Sequence, residues 1–111
     1  MNVTPLHRRV PEVIAEARNL LASLIDTDLP AAAALALGQA YNHLETADDG
    51  LWPPPRPPRI DDVEMALSQV HGLLRYAVDH PGPRLDPYDL GCALRETAAA
   101  IVLMQHPGGA A

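Results

Sequence analysis

Lysine and phenylalanine are absent from this chain of 111 residues, cysteine occurs once, and aromatic residues make up 4% of the sequence. Each shortage excludes something. A single cysteine, Cys92, can form neither an internal disulfide nor a cysteine-based zinc site. Set in an apolar helical stretch, it reads as a small buried hydrophobe rather than a nucleophile. With no Phe, one Trp and three Tyr, the core must be built from Leu, Val, Ile and Ala, side chains that suit closely packed helices. All eight basic residues are Arg, scattered from Arg8 to Arg95 against fourteen acids, for a net charge of −6. The Ala, Pro and Arg bias matches high-GC coding. A chain so charged lacks the basic patch that a phosphate-neutralising surface requires, so nucleic acid is not expected as a partner. The longest apolar runs, 31–37 and 98–104, have seven residues each, against about 20 for a membrane-spanning helix. The N-terminal stretch carries no apolar leader segment. A cytoplasmic protein with no membrane partner is expected.

What is present is apolar periodicity. Apolar residues make up 48% of the chain, enough to offset chain entropy in one domain spanning 1–111. Four segments repeat apolar residues at three and four. The first covers about 11–26, with Val13, Ile14, Ala17, Leu20, Leu21, Leu24 and Ile25 on one face and Pro11 in the first turn. The second covers 30–48, with Leu37, Ala40, Tyr41, Leu44 and Ala47 as its stripe. The third covers 61–80, where Ile60, Val63, Ala66, Leu67, Val70, Leu73, Leu74 and Ala77 form a heptad-like seam. The fourth covers 87–105 and is announced by Asp86 as N-cap, Pro87 at the first helical position and Asp89 at the third. No segment reads as a strand. Segments one and three also resemble each other faintly, aligning Leu20 and Leu21 with Leu73 and Leu74, and Asp26 with Asp79. The fold expected is all-α: an up-down-up-down four-helix bundle made of two helical hairpins joined by a Pro-rich crossover over 50–59.

Five prolines fall within residues 53–58. Each flank holds only two helices, and a lone hairpin cannot bury both its faces, so the loop joins halves of one bundle rather than two domains. It is expected to be stiff, polyproline-like chain, with Trp52 folding down as its anchor on the core. Pro54, Pro57 and Arg59 also satisfy P-x-x-P-x-R, a spacing that SH3-type grooves recognise.

Acids crowd the two sides of this loop: Glu45, Asp48 and Asp49 before it, Asp61, Asp62 and Glu64 after it. A spacing of three sets Glu45 with Asp48, and Asp61 with Glu64, on one helix face each. Antiparallel second and third helices would bring both pairs to one end of the bundle, where four carboxylates could hold Mg²⁺. The arrangement resembles the E-x-x-E…E-x-x-D signature of the all-α nucleoside triphosphate pyrophosphohydrolases of the MazG-like group. That resemblance implies magnesium-dependent nucleotide hydrolysis, with Glu45, Asp48, Asp61 and Glu64 as metal ligands. Arg75 and His80 also match the R-x4-H spacing of helical HEPN-type ribonucleases. His80 beside Pro81 equally suits a helix C-terminus. His43 and His71 fall on different helices in no metal-binding spacing and read as half-buried side chains.

Apolar residues cover more of the second and fourth helices than one buried face requires. Residues 31–37, and Ile101, Val102, Leu103 and Met104 at the end of the fourth, call for a further partner, and a second copy of the chain is the economical choice. The reading is a non-catalytic helical interaction or regulatory module that forms a homodimer, with Ile101, Val102 and Leu103 at the interface, no cofactor, and room for a further protein partner. The Mg²⁺-dependent nucleotide hydrolase is the alternative.

Overall fold

The computed structural model describes residues 9–47, 54–80 and 85–105. Four helices account for most of them: α1 (Val10–Ile25), α2 (Ala31–Ala47), α3 (Val63–Asp79) and α4 (Pro87–Gln105). Their limits follow from local chemistry. Asp62 is extended (φ −137°, ψ 108°), and its carboxylate accepts the Met65 N–H at 3.1 Å, so α3 starts two residues later than the acid-rich sequence alone indicates. Asp86 plays the same part for α4, accepting the Tyr88 N–H at 2.9 Å, with Pro87 at the first helical position. In α2 the Pro30 carbonyl takes the Ala34 N–H at 2.9 Å. At the end of α1 the Thr27 hydroxyl donates to the Leu24 carbonyl at 2.6 Å. His80 closes α3, its N–H and its ring Nδ1 each 3.0 Å from the Tyr76 carbonyl oxygen, with the ring stacked on Tyr76.

The four-helix bundle is present, with an aliphatic core as the missing Phe requires. Ile14, Leu21, Leu24, Leu37, Leu44, Leu67, Leu74 and Leu90 are its largest fully buried apolar side chains, and nine alanines fill the space between them. Thr97 is fully buried on α4 and satisfies its hydroxyl on the Ala93 carbonyl at 2.9 Å.

The directions of the helices differ from the alternating order expected. Helix α1 packs on α2 and α3, and α4 packs on α2 and α3, while α1 with α4 and α2 with α3 are diagonal pairs without contact among the described residues. Glu16 meets Gln69 at 3.3 Å, Leu20 borders Asp62 and Ala66, and Asp26 borders Ile60. Helix α3 therefore begins where α1 ends and runs antiparallel to it. Helix α2 also begins there, after a short turn, so α2 and α3 point the same way. At the opposite end the Asp86 N–H donates to the Ala47 carbonyl at 2.9 Å and His43 meets Asp89, which sets the start of α4 beside the end of α2. The order is up-down-down-up.

This topology explains the crossover. The chain must return from the far end of α2 to the near end of α3, roughly 25 Å for a helix of this length. The segment does so along α1: the Arg56 N–H donates to Asn19 Oδ1 at 3.1 Å, and the Ser23 hydroxyl donates to the Pro58 carbonyl. Prolines suit such a path because they hold φ near −65° and leave few amide donors to satisfy. Trp52, the expected anchor, lies outside the described residues.

Deleting residues 51–59 would leave six residues between α2 and α3, with a reach of about 25 Å when fully stretched. That equals the rise along the bundle and leaves nothing for crossing its diagonal. The deletion is expected to abolish cooperative thermal unfolding followed by circular dichroism. Replacing the same nine residues with nine Gly and Ser residues should retain it. A cooperative, monomeric deletion variant would show instead that α2 and α3 form a direct hairpin.

Candidate functional site

Up-down-down-up order disperses the acids that the sequence sets close together. Glu45 lies in the last turn of α2, whereas Asp61 and Glu64 lie at the start of α3, at the opposite end of the bundle. About one helix length separates them. Asp48 lies outside the described residues. Each acid at the described positions has a local role. Glu45 Oε2 is 3.9 Å from Arg18 Nη1, Asp61 pairs with Arg59 at 3.2 Å on the exposed surface, and Glu64 sits in the first turn of α3, where a negative charge suits the helix dipole. Among the described residues no three His, Cys, Asp or Glu side chains are grouped to hold a metal ion. The expected four-carboxylate arrangement assumed an antiparallel α2–α3 hairpin; those helices are a parallel diagonal pair, which sets Glu45 apart from Asp61 and Glu64.

Arg75 and His80 are similarly occupied. The Arg75 guanidinium lies 3.8 Å from Asp79 one turn on, and His80 caps α3 against Tyr76. Both are exposed helix-end contacts, and the structure adds nothing that points them at a shared substrate.

One polar contact was beyond the reach of sequence pattern. His43 on α2 and Asp89 on α4 are 46 positions apart, and His43 Nδ1 lies 2.9 Å from Asp89 Oδ1. Asp89 is buried, 8% exposed. Its position in the first turn of α4 marked it as a capping residue, and the structure makes it a cross-helix tie as well. Beside it on the outer face of α4, the phenol of Tyr88 is raised above its usual value of 10.0, first by a hydrogen bond with Cys92 and then by that residue's charge. A raised phenol stays protonated at neutral pH, so Tyr88 is not an activated nucleophile. Cys92 is half-buried, more accessible than the fully buried hydrophobe expected.

The clefts lined by described residues are small. One of about 250 Å³ lies between Ser23, Thr27, Pro57 and Ile60, one of about 210 Å³ between Leu20, Ile60, Asp62 and Met65, and one of about 120 Å³ between Leu67, Ile101 and Met104. All three fall below the roughly 300–1,000 Å³ typical of small-molecule sites. What remains is surface. Exposed large apolar side chains are Leu35 at 65%, Met65 at 67%, Tyr88 at 72% and Val102 at 55%. Of the three residues expected at an interface, Val102 points to solvent, while Ile101 and Leu103 are half-buried against the core together with Met104. Leu35, inside the run 31–37 that called for a partner, is the exposed large apolar side chain of α2, as Val102 is at the end of α4. Ala47 pairs with Asp86 and His43 with Asp89. That antiparallel register sets Leu35 and Val102 within about one and a half helical turns of the same level.

No protein-family model, curated protein or solved structure matches this chain.

The His43–Asp89 tie is testable as a coupling. Asp89→Ala is expected to cost about 1–3 kcal/mol, because a buried contact and a helix-start carboxylate are lost together. In a cycle with His43→Ala, measured by urea unfolding, the coupling should be at least about 0.5 kcal/mol. Strictly additive losses would show that the two side chains do not stabilise each other.

Proposed function

We propose that this chain is a non-catalytic helical interaction module that associates with a second copy of itself through the outward face shared by α2 and α4. The observation that supports it is a coincidence of charge and exposure. The chain carries a net charge of −6, so most approaches between two copies are repelled. Yet α2 has no Asp, Glu or Arg between Asp28 and Glu45, and α4 has none after Glu96. These uncharged stretches lie on neighbouring antiparallel helices at the same end of the bundle, and each exposes one large apolar side chain, Leu35 and Val102. Around them the surface is small: Ala31, Ala32 and Ala99 are exposed, and a Cβ added at Gly38 would meet open space.

The area available is adequate. A face two helices wide and about 25 Å long offers ~500 Å² per copy, or about 1,000 Å² in all, the lower limit for a specific interface. Alanine and glycine let the facing helices approach closely, which compensates for the lack of bulky anchors. A two-fold axis would set the patch on its own copy, as most homodimers do. A regulatory role through this contact, and a cytoplasmic setting, complete the reading. No helix among the described residues is long and apolar enough to cross a membrane.

Light scattering at about 100 µM, a concentration that populates micromolar dimers, should return twice the chain mass of 11.9 kDa. Val102→Asp and Leu35→Asp should each return the monomer mass with unchanged helicity, because both positions are exposed in the single copy and a carboxylate buried at the interface costs several kcal/mol. Leu103 is a poorer probe, since it packs partly on the monomer's own core. A wild-type monomer at that concentration would refute the proposal.

A further inference from the structure

We infer that the crossover ridge from Pro54 to Arg59 is a second interaction surface, built to enter the aromatic-lined groove of an SH3-type polyproline-binding domain. The spacing of Pro54, Pro57 and Arg59 is only a short pattern, but the structure adds three observations to it. The first is exposure. Pro54, Pro55, Arg56, Pro57, Pro58 and Arg59 are all exposed although four of them are apolar rings, while Ile60, the next residue along, packs partly buried against the core. A connector under no other constraint would turn such rings toward the core.

The second is pre-organisation. Residues 54–59 take neither helix nor strand, and proline holds φ and biases its predecessor toward extended geometry. The Arg56 amide is the sole N–H between positions 53 and 58, and it is already bound to Asn19; Ser23 holds the Pro58 carbonyl. The ridge is thus fastened along α1 by its own backbone. Its exposed positions include the proline rings, and from Pro54 to Pro58 no backbone N–H is left free to compete for acceptors. Grooves lined by Trp and Tyr take both features, through ring contact and through their N–H and O–H donors. Since the fold has already ordered the segment, the entropy cost that a flexible proline-rich ligand meets on binding is reduced.

The third is the charge at the end of the ridge. The Arg59 side chain is 90% exposed, and its contact is Asp61, itself 82% exposed, at 3.2 Å. An ion pair so exposed is weak in water, so an acidic pocket on a partner can take its place at little cost. Arg59 follows Pro57 by two positions, the spacing at which a P-x-x-P-x-R ligand directs its cation into the acidic specificity pocket beside the groove. The partner is therefore a domain with both an aromatic groove and adjacent carboxylates, and it need not disturb the α2–α4 face.

The test titrates the full chain into ¹⁵N-labelled SH3 domains chosen for their preference for P-x-x-P-x-R peptides. Saturable shifts confined to the aromatic groove and its acidic rim are expected. Pro57→Ala and Arg59→Ala should each weaken binding by about tenfold or more, as loss of a central anchor does. Asn19→Ala and Ser23→Ala, which loosen the ridge without altering its sequence, should weaken it by a smaller factor. Circular dichroism should show unchanged helicity in Pro57→Ala and Arg59→Ala, whose altered side chains are solvent-exposed. Absence of shifts in every domain of the set at millimolar chain, or binding that survives both ridge substitutions, would overturn the inference.

Discussion

Fifteen residues join α2 to α3, and the length they can span allows α3 to run parallel to α2 instead of folding back against it. Asn19 and Ser23 hold that segment against α1, and almost every longer-range relation in the molecule depends on the result. Because α3 starts beside the end of α1, α2 and α3 become a diagonal pair and α2 takes α4 as its neighbour. Glu45 on one side of the loop and Asp61 and Glu64 on the other are carried to opposite ends. The start of α2 and the end of α4, both apolar and uncharged, are brought together. A short loop at the same place would have reversed each of these outcomes.

The α2–α4 pairing is the most extensive in the bundle, and its chemistry is consistent with that. Helix α2 buries Ala33, Ala36, Ala40 and Ala47 beside Leu37 and Leu44, and α4 buries Ala93, Thr97 and Ala100 beside Leu90. Small residues bring backbones close and gain dispersion contact over a long seam, though each contributes little apolar area. At the start of α2 and the end of α4 they also leave the exposed positions largely apolar, as at Ala31, Ala32, Leu35, Ala99 and Val102. The same composition that makes the pair tight inside therefore leaves an uncharged patch outside at one end, and self-association is the proposal that uses it. At the far end of this pair, Asp89 with His43 and Asp86 with the Ala47 carbonyl set the register, so that a polar clasp at one end fixes which apolar residues meet at the other.

The two proposed surfaces differ in kind. The α2–α4 patch is built of small and aliphatic side chains, poor in directional groups and proposed to meet an identical copy related by symmetry. The Pro54–Arg59 ridge is narrow and convex, with acceptors and a cation, suited to a groove. They lie on different helices of the bundle, the ridge along α1 and the face on α2 and α4. That separation lets a dimer present two ridges to a bivalent or clustered partner, where effective concentration raises avidity without new contacts.

Local chemistry determined the helices from sequence alone. Apolar spacing at three and four identified all four, and Asp86 marked the start of the fourth, because a cap and its first turn involve residues only two to four apart. The scarcity of aromatic residues determined an aliphatic, alanine-filled core in the same way. Helix direction was a different matter. Amphipathic helices bury their stripes equally well in either alternation, so the pattern of Leu and Ala is indifferent to whether α3 runs with α2 or against it. The decision lay in the reach of the Pro-rich segment and its hydrogen bonds to Asn19 and Ser23, contacts 37 and 35 residues apart in the chain. The same holds for His43 with Asp89 and for the exposure of Leu35 and Val102. Only the tertiary structure decided these, because each depends on which helix stands next to which, a property that no spacing along one chain encodes.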